Sequence, residues 1–186
     1  MIGTLLGGAA GWWGGRVDWA VSRLVEVVVG VPTLFVVVLF AALCPPQVLP
    51  PLVAIVSIVA ACGWTGVARL VRGELMRVRS AAFVESAFTL GSSEWRQLLV
   101  HALPGAFSPA LVAASFAVGG AILVESAASY LGFGIAEPVP SWGALIQGSS
   151  NARNWWMIVF PGACIFATVA SVNALAESLR ESLDRN

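Results

Sequence analysis

The sequence predicts an all-α, polytopic transmembrane helical bundle, and three observations predict it. The 186 residues are 58% hydrophobic and only 11% charged, whereas soluble domains are about one quarter charged. The apolar residues are gathered into runs long enough to cross a bilayer, which takes about 20 residues. The basic residues fall almost entirely on one side of those runs. Formal net charge is zero, with ten basic residues, all of them Arg, so the pattern of charge is informative and its sum is not.

Residues 1–15 read as part of a helix too short to span. Gly3, Gly7, Gly11 and Gly15 recur every fourth residue, a smooth face of the kind that lets membrane helices approach closely. The stretch lacks a charged start and a cleavage site, so it does not read as a signal peptide. The first span covers roughly Leu24 to Leu43, with Pro32 as a kink. Four prolines between Cys44 and Pro51 then force a short turn. The second span is roughly Leu52 to Leu70, the third Phe107 to Tyr130 and the fourth Trp155 to Leu175. The whole chain, 1–186, reads as one domain.

If the four spans alternate, Arg16, Arg23, Arg69, Arg72, Arg77, Arg79, Arg96, Arg180 and Arg185 share one side and Arg153 stands alone on the other. The positive-inside rule makes the first side cytoplasmic. Trp12, Trp13, Trp142, Trp155 and Trp156 lie near predicted boundaries, where interfacial anchors belong.

Between the second and third spans lies a polar island, Val71 to His101, set in a loop that runs from 71 to 104. No charge occurs from Val27 to Ala68 or from Ala102 to Val124, yet the island holds Arg72, Arg77, Arg79, Arg96, Glu74, Glu85 and Glu94. Phe83, Ala87 and Leu90 make one helical stripe, which Gly91 can end. Ser93 can cap a second helix, whose stripe is Trp95, Leu98, Leu99 and Ala102, and Pro104 breaks it at the membrane surface. A charged helix–turn–helix on the Arg-rich side of a membrane protein is a docking surface for a soluble partner.

Glu85-Ser86-Ala87, Gly91 and then Leu103-Pro104 resemble the EAA loop of permease subunits of bacterial ABC importers. The segment from Ile122 to Gly134, Pro140-Ser-Trp-Gly, Trp155-Trp, Phe160-Pro-Gly and the tail from Leu179 to Arg185 look like the dipeptide, oligopeptide and nickel permease group. Gly14-Gly-Arg-Val-Asp upstream is similar to it as well. Ser86 departs from the usual Ala. The resemblance implies the type I importer permease fold, in which the loop is a coupling helix gripped by an ATPase subunit. Family members usually have six spans and this chain shows four and part of another, so it reads as N-terminally truncated, through a misassigned start, a shortened reading frame or a form that works reduced.

The resemblance implies a subunit that passes peptides, or solutes such as nickel, across the prokaryotic plasma membrane. Its implied partners are membrane lipid, a homologous second permease, two ABC ATPase subunits and an extracytoplasmic substrate-binding protein, with no nucleic acid. ATP and Mg belong to the ATPase partners, and this chain carries no cofactor. Phe83, Glu85, Ser86, Ala87, Gly91, Leu103 and Pro104 are the implied coupling residues. Phe83 and Ala87 serve as apolar anchors, as do Phe88 and Leu90; Gly91 gives the turn, and Pro104 ties the loop to the next span.

Glu125 is an ionisable group in a membrane helix, and such a group is a functional candidate by default. With Ser129 and Trp142 it is the candidate lining of a pathway or outer gate, and it also fits a structural hydrogen-bonding role. The outer segment Leu131 to Asn154 reads as a connector packed on the bundle or as the surface that receives a binding protein. Glu26 reads as snorkelling at the mouth of its span or as a partner of Arg23, and His101 as structural.

Other chemistry finds little support. No G-x-x-x-x-G-K-[ST] occurs, so the chain does not read as an ATPase, and with no Ser/His or acid-pair constellation in the spans and its one His in the loop it does not read as an intramembrane enzyme. Cys44, Cys62 and Cys164 are isolated and read as apolar core fillers; with one His they make no metal site. A secondary transporter or channel, and a truncated inactive remnant, are the alternatives.

Overall fold

A computed structural model describes residues 1–44, 47–80, 93–135, 138–149 and 154–184. Among the described residues every regular element is a helix. In chain order these are α1 (Ile2–Trp13), α2 (Gly15–Val29), α3 (Thr33–Leu43), α4 (Pro51–Arg79), α5 (Glu94–Arg96), a π-helical turn (Gln97–Ala102), α6 (Leu103–Gly105), α7 (Phe107–Tyr130), α8 (Trp142–Gln147) and α9 (Trp156–Asp184).

Three helical stretches, Pro51–Arg79, Leu103–Tyr130 and Trp156–Ser182, are long and apolar enough to cross a membrane, and α2 with α3 make a fourth if the pair counts as one span. The break within that pair falls at Gly30, Val31 and Pro32, where proline removes a backbone donor and glycine removes helix propensity. Helix α4 has 29 residues and so is about 43 Å long, well beyond a hydrocarbon core of about 30 Å. Its surplus is the Arg-rich end, so residues 71–79 continue α4 instead of opening a separate loop.

The chain divides into two compact units. The first comprises Met1–Val28, Gly63–Ser115 and Leu175–Asn186; the second comprises Val29–Cys62 and Phe116–Ala174.

The first unit is organised on the end of α4. Val71, Leu75 and Val78 recur at helical spacing and are buried with Trp12, Leu98, Ala102 and Ala106. This apolar stripe explains why the helix persists through a charged stretch: the arginines take the other faces. Helix α1 meets α4 through its glycines. A Cβ on Gly3 would overlap the Trp64 carbonyl oxygen, one on Gly7 would overlap the Ala68 carbonyl oxygen and lie 2.8 Å from its Cα, and one on Gly11 would lie 2.6 Å from the Arg72 carbonyl oxygen. Advancing four residues on α1 advances four on α4, so the two helices run parallel with their backbones in contact.

Gly15 is not part of this face. It has positive φ, as does Gly14 before it (53° and 64°), and together they form the turn into α2. Trp12 is buried in the core and is not an interfacial anchor; Trp13 is exposed and meets Trp95 edge-to-face at 5.2 Å.

Pro104 does not end a helix. The chain stays helical on both sides of it, and the reason lies just upstream. A proline ring clashes with the carbonyl four residues earlier. The π-helical turn Gln97–Ala102 widens the backbone there, and the Leu103 amide donates to the Leu98 carbonyl, five residues back.

The second unit holds α3, the start of α4, the end of α7, α8 and most of α9. Val37, Ile55 and Ala128 are buried together. Cys44 and Cys62 are half-buried and Cys164 is exposed, so Cys164 fills no core. Much of α9 is exposed apolar surface, including Trp156, Ile158, Val159, Phe160 and Phe166, as a lipid-facing helix requires.

Candidate functional site

Two regions carry the residues that the sequence singles out, one in each unit. In the first unit, Phe83, Glu85, Ser86, Ala87 and Gly91 lie outside the described residues. The elements that flank them are described. Helix α4 closes at Ser80, whose hydroxyl donates to the Arg77 carbonyl at 2.9 Å. The chain re-enters at Ser93, whose carbonyl accepts from the Gln97 amide. Leu98, Ala102 and Ala106 then pack into the core formed with Val71, Leu75 and Val78. Both flanks of residues 81–92 are thereby anchored to one apolar cluster. Leu103 and Pro104 are exposed beside it.

Charge is arranged around the same end of α4. Arg72 reaches across to Asp18 on α2 with two prongs: its Nε donates to Oδ1 and its Nη2 to Oδ2, the latter at 2.7 Å. Ser22 adds a hydrogen bond to the same carboxylate at 3.3 Å. This pair joins residues 54 positions apart, unlike Arg23–Glu26 and Arg77–Glu74, which are local i,i+3 pairs. A bidentate guanidinium–carboxylate contact fixes direction as well as distance. The sequence shows both residues but not their pairing, because four arginines lie between positions 69 and 79. The available signal is Asp18 itself, an acid in the first turn of a helix leading into an apolar run.

In the second unit, Glu125 and Ser129 are one helical turn apart on α7, and the Ser129 hydroxyl donates to the carboxylate at 2.7 Å. The helix ends just beyond them. Gly132 has φ 86°; its amide donates to the Ser129 carbonyl and the Phe133 amide to the Ala128 carbonyl, a glycine-terminated Schellman cap. The chain then folds back onto the end of α7. A Cβ on Gly134 would overlap Ser129, and one on Gly143 would lie 2.8 Å from the Ser129 Cβ. Ser141 caps α8 by accepting from the Ala144 amide at 3.1 Å.

This corner walls a cavity of about 490 Å³, within the range of small-ligand pockets. Its lining is mainly apolar, with Val37, Phe40, Ile55 and Phe133, and its polar side chains are Ser129 and Gln147. Ser129 therefore lines a cavity, Glu125 braces it from behind, and Trp142 starts α8 without lining it. Gln147 is a lining residue that the sequence did not single out; its place at the end of α8, before Gly148, is visible only once the corner is folded. Among the described residues no group of three or more His, Cys, Asp or Glu could hold a metal ion.

Apolar helices of membrane length, with a charged end gathered on one of them, define an integral membrane protein. The family model for the binding-protein-dependent transport system inner membrane component matches residues 3–186, and the chain belongs to that family. It is 34% identical over 187 residues to the dipeptide transport system permease protein of Bacillus subtilis, covering 99% of this chain and 57% of that one. It is 34% identical over 185 residues to the oligopeptide transport system permease protein of Haemophilus influenzae, covering 98% and 58%. It is 33% identical over 189 residues to the glutathione transport system permease protein of Pectobacterium atrosepticum, covering 99% and 60%. The chain thus spans less than two thirds of the length of these relatives.

Proposed function

We propose that this chain is a membrane-spanning subunit of an ATP-driven importer that moves short peptides across the plasma membrane. The observation that carries the reading is the family match across residues 3–186. The substrate class follows the relatives, whose names specify dipeptides, oligopeptides and glutathione, and so favours peptides over nickel.

In this reading the Arg-rich end of α4 faces the cytoplasm. Residues 83–91, which lie outside the described residues, are the segment that a partner ATPase grips, with Phe83, Ala87, Phe88 and Leu90 as its apolar anchors. Glu85 orients that segment and Gly91 turns it. ATP and Mg are bound by two ATPase partners, and a second permease completes the passage. A binding protein delivers peptide on the opposite side, where Ser129, braced by Glu125, and Trp142 contribute to the outer gate. Transport alternates between two packed states whose balance nucleotide shifts.

The test is uptake into proteoliposomes holding the complex purified from its native host. Labelled dipeptide should accumulate only with ATP and the binding protein. A cysteine replacing Ser86 should crosslink to the ATPase from the cytoplasmic side. Uptake that ignores ATP, or labelling of that cysteine from outside intact cells, would overturn the proposal.

A further inference from the structure

Helix α2 is attached to α4 differently from α1. Along α1 the seam is closed by backbone contact at Gly3, Gly7 and Gly11. Along α2 there is instead a hollow of about 200 Å³, lined by Val21, Val25, Glu26, Ala68 and Arg69 beside the Asp18–Arg72 pair. Val25 is the one buried residue described on α2. The helix also has a break at each end. Gly14 and Gly15 both take positive φ at its start, a conformation that other residues rarely adopt, and Gly30 to Pro32 interrupt it at its close.

We infer that α2 is a hinged arm and that the Asp18–Arg72 ion pair is the latch holding it against α4. Three features argue for a latch over a fixed support. The arm lies between two breaks, so it can swing without unfolding. A hollow adjoins the contact, so little packing is lost when the arm lifts. The contact itself is a bidentate ion pair whose side chains are 34% and 21% exposed, and an opened pair can be resolvated at that exposure. The residue it grips, Arg72, lies seven positions before the end of α4, on the helix that leads to residues 81–92. Under the importer reading, on which this step rests, Asp18 and Arg72 are positioning residues: they pass a displacement of α4 to α2 without touching substrate or nucleotide.

The experiment uses the assembled complex with Cys44, Cys62 and Cys164 replaced by serine and Val25→Cys introduced. The rate of maleimide labelling at position 25 reports opening of the arm. Asp18→Asn and Arg72→Gln should each raise that rate roughly tenfold to hundredfold, the factor set by losing one charge-assisted hydrogen bond. The swapped pair Asp18→Arg with Arg72→Asp should lower it again. If Asp18→Asn does not assemble, Arg72→Lys keeps the charge but not the two-pronged geometry and should give an intermediate rate. Peptide moved per ATP hydrolysed should fall in the single variants and recover in the swap. Labelling at the parental rate in the single variants overturns the latch, as does a loss of uptake and hydrolysis in equal proportion with labelling unchanged. Absence of ATP-driven uptake in the parental complex would defeat the importer reading alone, since labelling still judges the latch.

Discussion

The close approach of α1 to α4 makes a quantitative prediction at Gly7. A methyl group there would lie 2.8 Å from the Ala68 Cα and 2.9 Å from its carbonyl carbon, inside normal van der Waals distance. These neighbours are backbone atoms and cannot rotate away, so the cost belongs at the upper end of the overpacking range, about 3 kcal/mol. Glycine to alanine in a helix returns about 1 kcal/mol of propensity. The net loss is about 2 kcal/mol, which for a chain of this size lowers the melting temperature by about 4–8 °C. Gly73 on α4 supplies the control, because a Cβ there meets nothing within 4 Å. Gly73→Ala should gain the propensity alone and rise by about 2–4 °C. Thermal denaturation of the two purified variants, followed by the loss of the monodisperse peak in size-exclusion chromatography, measures the contrast. If both variants shift in the same direction by similar amounts, backbone contact is not what holds α1.

Two further predictions concern single side chains. Leu75 is fully buried in the first unit's core, so Leu75→Ala should cost about 2–5 kcal/mol, read as a large drop in melting temperature in the same assay. Ser141→Ala removes the cap of a six-residue helix and should cost about 1 kcal/mol, read as faster hydrogen exchange at the Ala144 amide.

Much of the helix content was legible in the sequence because apolar runs of membrane length leave a chain few alternatives. The spacing of Gly3, Gly7 and Gly11 announced a helix-packing face. It could not announce where the face stops, since Gly15 continues the spacing and only its positive φ excludes it. Trp12 and Trp13 look alike as anchors in the sequence; a helical offset of one residue buries the first and exposes the second. Pro104 reads as a helix breaker because the rule assumes α-helical hydrogen bonds upstream, and the π-helical turn at Gln97–Ala102 suspends that assumption. The Asp18–Arg72 pair was illegible for a different reason: several arginines lie within one helix, and which of them faces α2 depends on rotation about the helix axis. The cavity beside Ser129 was hidden because it is made by a chain reversal whose lining comes from four separate stretches.

Arg72 is where the two modes of attachment meet, and it allows them to be separated. Its carbonyl oxygen is the atom that a Cβ on Gly11 would strike, so α1 packs on its backbone. Its guanidinium is the group that grips Asp18, so α2 depends on its side chain. Substituting the side chain leaves the carbonyl in place, and the α1 seam has no direct reason to change. Substituting Gly11 strikes the backbone and leaves the guanidinium free to reach. A dense seam closed at glycines has no soft coordinate along which to open, because any separation of the helices forfeits contacts along its whole length. An ion pair beside a hollow opens at the cost of that pair and of the burial of Val25. The consequence is a division of labour on one helix: α1 follows α4 as a rigid companion, and α2 is the element whose attachment can be made and broken.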